Sequence, residues 1–420
     1  MQPDTPNHSR RRVLWLSHLL PWPPKGGLRQ RSYHLMKAIG ERHELEVIAF
    51  RQRSQQPDAE SVDAALGALE QFAVVRRVID LPQEDYPIGQ VGLAARSLLP
   101  GEPFTVRWGK SMAYREAVRE AVSQSDPELV HVDTISLAPY IAEVADDLPA
   151  CLNHHNVESE MLLRRASQEP NMLRRVYFWQ EGRRLQAVER SFAGRFWRHL
   201  VCAELDAERL KAVVPGVHTE VVPNGVDLDY FTASPADTPE TPDSLIFVGG
   251  LSWYPNASAM QFLVSDVWPL LVERRPEARL QIIGRNPSVS LRRLAAPYAG
   301  IEIPGFVDDM RPLVYRSQVY VCPIYDGGGT KLKMIDAMAL SKPIVAHPVA
   351  CEGLGLTDGV DVIIAETPIE FRDSIIRLFE DSELRRRLGA AARARAERVF
   401  SFREIGAKLA DLYSQLAASR

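Results

Sequence analysis

Residues 319–339 read VYVCPIYDGGGTKLKMIDAMA. An apolar run short enough for a buried strand gives way to three glycines, Gly327, Gly328 and Gly329, which open directly into a stretch with apolar residues at helical spacing. Strand, glycine turn, helix is the repeating half of a parallel sheet covered by helices on both faces, and the same alternation recurs along the whole chain. In the first half, strands are read near Val13 to Ser17, Leu45 to Phe50, Val74 to Ile79, Leu129 to Val132, Ala150 to Asn153, Leu200 to Ala203 and Glu220 to Val222. In the second half they lie near Leu245 to Val248, Leu280 to Ile283, Glu302 to Ile303, Val319 to Cys322 and Ile344 to Ala346. The fold class expected is α/β, with two doubly wound, Rossmann-like domains facing across a cleft lined by strand-to-helix loops.

The turn from Asp326 to Thr330 has the chemistry of an anion site. Without Cβ atoms the glycine backbone can approach a ligand closely, and the unpaired N–H groups and dipole of a helix N-terminus favour phosphate. Lys331 and Lys333 sit in the same first turn, where cations oppose the dipole unless an anion compensates them. Asp336, five residues after Lys331, can accept two hydrogen bonds from a vicinal diol such as a ribose. The structural alternative is a tight turn with solvated lysines and an exposed aspartate.

At 420 residues the chain holds two domains of ordinary size, and TASPADTPETPDS, residues 232–244, has the prolines and small polar residues of an exposed linker. The expected domains are therefore 1–231 and 245–400, with the final helix, 401–420, crossing back to the first. A formal charge of -4 gives no sign of a nucleic-acid partner. Cys151, Cys202, Cys322 and Cys351 lie far apart, with no spacing for zinc, which fits free thiols in a reducing cytoplasm. The start, SRRRVLWLSHLLPWPP, superficially resembles a twin-arginine export signal, but its apolar run is short and ends in prolines and Lys25. No window is apolar for long enough to span a membrane. No GxGxxG opens a helix after the first strand, which disfavours a nicotinamide-dependent dehydrogenase.

An ordered series of motifs resembles the group 1 transferases of glycosyltransferase family 4, retaining enzymes of the GT-B, two-Rossmann-domain type. In the second half the series is VVPNGVDLDYF (221–231), IFVGGLSWYPNASAMQFL (246–263), IIGRNP (282–287), IPGFVDDM (303–310) and KLKMIDAMALSKPIVAHPVACEGL (331–354). In the first half it is PWPPKGGLRQRSYHLMKAI (21–39), LVHVD (129–133) and NHHNVESEMLLRRA (153–166). The resemblance implies transfer of a sugar from a nucleotide diphosphate donor held by the second domain to an acceptor on the first. Asp336 would bind the donor ribose. A second family acid that meets the donor sugar is replaced by Gly328, with Asp326 displaced from it by two residues. The Arg/Lys pair that many members place on the diphosphate is also absent; Leu251, Ser252, Trp253, Tyr254 and Pro255 stand there. Its charge is assigned to Lys331 and Lys333 in preference to Arg285. Gly249, Gly250 and the backbone near Phe306 and Val307 complete the donor side, the last two against the base. The loop of Gly26 and Gly27 would approach the diphosphate from the first domain.

His155 aligns with a family histidine that touches the donor sugar, and histidine suits proton exchange. His131, His154 and Glu158 are acceptor-side candidates, with His18 weaker; Glu158 and Asn156 can equally cap the helix that follows. Retention in this family is ascribed to attack on the face from which the phosphate leaves, so no enzymic nucleophile and no metal ion or other cofactor is expected. Asp227 and Asp229 form a DxD that is read as structural. From Met161 to Leu200, nine arginines face three glutamates, interspersed with Leu163, Val176, Phe178, Trp179, Phe192, Phe196 and Trp197. This stretch suits either peripheral docking on an anionic membrane, where a lipid-linked acceptor would be met, or a solvated helix face over a core. The expected activity is assembly of a cell-surface polysaccharide or glycoconjugate, with a nucleotide-sugar epimerase or a non-catalytic binding subunit as alternatives.

Overall fold

The structure, a computed structural model, describes residues 10–82, 101–233, 235, 238–327 and 329–419. Gly328, one of the expected donor-site positions, lies outside them. The chain divides into two compact units, Met1–Pro223 with Arg403–Arg420, and Asn224–Phe402. The division falls before the 232–244 stretch, and the last four residues of that stretch already form the start of a strand. Within that strand Asp243 has φ 49° and its N–H donates to Gln318 Oε1 at 2.8 Å.

The first unit is built on β1 (Arg12–Ser17), β2 (Glu44–Arg51), β3 (Val74–Asp80), β4 (Leu129–Val132), β5 (Ala150–Asn153), β6 (Arg198–Val201) and β7 (Thr219–Val221). They form a parallel sheet in the order β3-β2-β1-β4-β5-β6-β7. The central strands β4 and β5 are buried at every residue, as a sheet covered on both faces requires. Edge strand β3 is largely open and carries Arg76 and Arg77, charges that discourage further pairing. Trp15, Phe50 and Tyr114 fill the core. The helix Phe402–Ala418 packs its Leu409, Ala410, Tyr413 and Leu416 into the same core as Trp15 and Leu35. Its Asp411 pairs with Arg42 at 2.5 Å.

The second unit holds β8 (Thr241–Val248), β9 (Arg279–Ile283), β10 (Ile301–Gly305), β11 (Ser317–Cys322), β12 (Ile344–Ala346) and β13 (Ile363–Ile364). These are also parallel, in the order β10-β9-β8-β11-β12-β13. β11 is buried throughout, whereas edge strand β10 alternates between partly buried and exposed. The core gathers Phe247, Trp268, Tyr320 and Phe371. In both sheets the chain reverses its direction of travel beside the first strand, between β1 and β4 and between β8 and β11. Ligands of doubly wound sheets bind at the carboxyl ends of strands at such switch points.

Candidate active site

In the second unit the switch point is occupied by the loops that leave β8 and β11. Gly249 donates its N–H to Ile283 O at 2.9 Å, and a Cβ on Gly284 would lie 1.8 Å from Gly249 O, so the loop leaving β8 touches the end of neighbouring β9 backbone to backbone. After β11, Gly327 (φ 99°) and Gly329 (φ 70°) hold left-handed conformations that other residues adopt only under strain. A Cβ on Gly327 would also meet Pro255 Cγ at 2.9 Å. The chain then enters the helix Leu332–Ala339.

The two lysines of this turn separate. Lys331 donates to Gly327 O at 2.9 Å and Gly329 O at 2.8 Å, bracing the turn from its carbonyl side. Lys333 instead donates to Asn256 Oδ1 at 2.5 Å, with its ammonium 5.5 Å from the Phe247 ring centroid. Asn256 is buried, and its Nδ2 donates to Gly250 O at 2.8 Å, which turns the amide oxygen toward the lysine. Burial lowers the Lys333 pKa from its ordinary value, while the Asp336 charge acts in the opposite sense. Asp326 is turned back on its own loop, accepting the Gly327 N–H at 2.6 Å. Thr330 Oγ1 accepts from Asn224 Nδ2 at 2.6 Å. Asp336 is half-buried in the second turn of the helix. The Arg285 guanidinium carbon lies over the Phe306 ring, 4.1 Å from its centroid, and Val307 packs on the core. Gly250 is open where a Cβ would point. The DxD is engaged locally: Asp227 Oδ1 accepts the N–H groups of Asp229 and Tyr230, at 3.0 and 3.2 Å.

The first unit gathers a polar cluster at its own switch point, centred on Asp133, the residue after β4. Asp133 is fully buried and accepts from Ser32 Oγ at 2.8 Å and Asn153 Nδ2 at 2.9 Å. Nε2 of His155 lies 3.2 Å from Asp133 Oδ1, Nδ1 of His18 3.4 Å from Oδ2, and Nε2 of His131 3.6 Å from Oδ1. Arg31 braces Asn153 by donating to its Oδ1 at 3.0 Å. Burial alone would raise the Asp133 carboxyl, but the charge of His155, its hydrogen bond to Oδ1 and the close rings of His131 and His18 hold it well below its ordinary range. Burial lowers the His155 pKa, with Asp133 opposing. The metal-capable atoms of His18, Asp133 and His155 all lie within 4.8 Å of one another. Two histidines and a carboxylate are a donor set that suits a divalent transition metal, although Asp133 is already served by Ser32 and Asn153.

The other first-unit candidates take different places. His131 forms the floor of the cluster, stacked on Trp15 at 3.4 Å between centroids and hydrogen-bonded through Nδ1 to Tyr413 Oη. His154 points away: it is buried, its Nε2 lies 3.0 Å from His199 Nδ1, and His199 Nε2 in turn meets Ala193 O at 3.1 Å. That is the environment of a satisfied core histidine, and the structure does not bring it to Asp133. Glu158 begins the helix Glu158–Gln168 and accepts from Thr134 Oγ1 at 3.3 Å; burial raises its pKa. Val157, not Asn156, occupies the cap position of that helix. Gly26 (φ 96°) caps the helix Gly27–Arg42 and is open where a Cβ would point.

Sequence reasoning missed Asp133, Asn153, Ser32 and Arg31 on the first unit and Asn256 on the second. The available signal was an aspartate and an asparagine placed at the ends of neighbouring buried strands, β4 and β5. Asn256 stands one residue beyond 251–255, the place of the basic pair that many members carry.

Two family models match the chain: one for glycosyltransferase family 4 over residues 25–230, and one for glycosyl transferases group 1 over residues 242–381. A phosphatidyl-myo-inositol mannosyltransferase of Mycobacterium tuberculosis is 27% identical over 224 residues, 51% of this chain and 58% of that protein's length. A Klebsiella pneumoniae protein of the cps region is 25% identical over 140 residues, 32% of this chain and 36% of its own length. Among solved structures, sucrose-phosphate synthase from Thermosynechococcus elongatus superposes with a TM-score of 0.73 at 17% identity, covering 98% of this chain and all (100%) of that one. Anabaena HepE in complex with UDP and glucose superposes with a TM-score of 0.67 at 15% identity, covering 96% and 100%. The two matched models, the motifs and the paired Rossmann-like sheets agree: the chain belongs to the group 1, family 4 glycosyltransferases and has their GT-B fold.

Proposed function

We propose that the protein transfers a glycosyl group from a nucleotide diphosphate sugar to an acceptor hydroxyl with retention of configuration, in the assembly of a cell-surface polysaccharide or glycoconjugate. The observation that carries this reading is the turn after β11, where two left-handed glycines open into a helix N-terminus with Lys333 alongside. Helix N–H groups and the ammonium would stabilise the diphosphate as it departs, a role that needs neither an enzymic nucleophile nor a metal ion. Asp336 would hold the ribose, and the Phe306 face the base. In the first unit, His155, oriented by Asp133, would act in catalysis on the sugar being transferred. The mannosyltransferase relatives act on a phosphatidyl-inositol, and HepE is seen with UDP, which supports a nucleotide donor and a glycan or lipid-linked acceptor. The acceptor would then be met at the cytoplasmic face of a membrane; no nucleic-acid partner is proposed.

Thermal-shift and calorimetric titration against UDP-, GDP-, ADP- and TDP-sugars tests the donor site, since a ligand of the native state raises apparent stability. Product analysis by NMR reports the anomeric outcome, and incubation with donor alone separates transfer from epimerisation. Indifference to every nucleoside diphosphate would sink the proposal.

A further inference from the structure

The arginine-rich stretch resolves into two helices, Glu158–Gln168 and Met172–Phe192, and the second carries a face that no other element covers among the described residues. Met172, Val176, Trp179 and Arg183 follow one another at spacings of four, three and four residues and so share one side of the helix. Met172 is 64% exposed, Leu173 83%, Val176 53% and Trp179 56%, an apolar cluster at the amino-terminal half of the helix. The remaining apolar residues of the stretch turn inward. Leu163 packs at Gly182, Phe178 lies under the Arg165 guanidinium at 4.1 Å, and Phe192, Phe196 and Trp197 pack on the core clusters.

The charges sort in the same way. Both acids of this helix, Glu181 and Glu189, are buried. Glu181 accepts from the Phe104 N–H at 2.6 Å, and Glu189 from Ser159 Oγ at 2.5 Å. Its five arginines, Arg174, Arg175, Arg183, Arg184 and Arg190, are exposed or partly so. A chain of net charge -4 thus presents here a helix face that is only cationic and apolar.

We infer that this face, centred on Leu173, Val176 and Trp179 and rimmed by Arg175 and Arg183, docks the first unit on an anionic lipid surface. The apolar residues would enter the headgroup boundary while the guanidinium groups meet lipid phosphates. A second copy of the chain fits worse, because self-association would set arginines against arginines around the apolar centre. The inference rests on the surface of the first unit and stands apart from the donor site. It sharpens the proposed meeting with a membrane-borne acceptor by naming the side chains that make the contact.

The test uses the full chain and sedimentation with vesicles of phosphatidylcholine alone or mixed with phosphatidylglycerol. Two variants accompany it: Leu173→Ser/Val176→Ser/Trp179→Ser, and Arg175→Glu/Arg183→Glu. The wild type should bind the anionic vesicles, and binding should weaken as salt rises. Each cation lost should cost about fivefold in partitioning, and the triple serine variant should lose on the order of tenfold or more. All substituted positions are exposed, so melting temperatures should stay near that of the wild type. Stabilisation by nucleoside diphosphate, measured on the same samples, reports the donor reading separately. Absence of vesicle binding, or a serine variant that binds as the wild type does, overturns the inference. So does a wild type that dimerises through this face, with the serine variant monomeric and neither binding lipid.

Discussion

Replacing Lys333 by methionine is the sharpest probe of the donor site. The ammonium donates to Asn256 Oδ1, whose amide is itself fixed by Gly250 O, and the side chain lies against the Gly249 loop rather than in open solvent. Methionine keeps the length and apolar packing against Phe247 but removes the charge. A charged hydrogen bond to the donor diphosphate is worth about 1.5–3 kcal/mol, so affinity should fall roughly 10- to 150-fold. The effect on folding should be much smaller. The variant leaves Asn256 Oδ1 without its partner, at a cost of about 1–3 kcal/mol, while relief of the desolvation that depresses the lysine pKa offsets part of that cost. Calorimetric titration with a nucleoside diphosphate and the matching nucleoside separates the two contributions, because the nucleoside lacks the phosphates. The diphosphate should lose its affinity while the nucleoside keeps its own. Equal loss for both ligands would mean that Lys333 only shapes the loop, and unchanged affinity for both would refute its role. Lys331→Met makes the contrast: it frees the carbonyls of Gly327 and Gly329, so both ligands should weaken together as the turn loosens.

Three further outcomes follow from the geometry. Gly327→Ala forces a side chain into φ 99° and sets its Cβ 2.9 Å from Pro255 Cγ; a cost of about 1–3 kcal/mol should appear as weaker nucleoside diphosphate binding in titration. Asp133→Asn puts an amide where Ser32 and Asn153 both donate. Turnover should fall and the pH–rate profile shift as His155 loses its orienting charge, with nucleoside diphosphate affinity unchanged. Glu189 is held by burial at about 7 against an ordinary 4.5, so the folded state binds its proton more tightly than the unfolded chain does. Its contribution to stability is therefore present at low pH and is lost as pH rises through that window. Glu189→Gln should flatten this part of the stability–pH curve in denaturant titrations and leave the protein more stable above pH 7, by up to about 3 kcal/mol. His199, lowered to about 4 from 6.5 by burial, acts with the opposite sign, its contribution being lost as pH falls through that range.

Most of the architecture was legible because parallel strands buried on both faces write themselves as short continuous apolar runs. β4, β5 and β12 match their runs residue for residue. β13 was missed because two residues carry no periodicity. The start of β8 was missed because Thr241–Ser244 has turn composition, and its pairing with β11 shifts register at the point where regular apolar sequence begins. The glycine turn was legible from its three glycines, but the division between Lys331 and Lys333 was not. Which carbonyl or amide each ammonium meets depends on Asn256, distant in sequence. The Asp133 cluster was the least visible, since Arg31 and Ser32 sit in a helical stretch, QRSYH, that reads as solvent-facing until the fold buries it. Buried polar groups that satisfy one another across three elements leave no local pattern.

The helix Phe402–Ala418 also sets the order in which the protein can be made. Tyr413 closes the floor beneath His131 and Asp133, and Leu409 and Leu416 complete the core around Trp15, yet all of them follow the entire second unit in the chain. On the ribosome, Asn224–Phe402 can finish folding while the unit translated before it still lacks part of its interior. Residues 1–223 must wait, partly assembled, for a segment made almost two hundred residues later, and a chaperone would have most to hold during that interval.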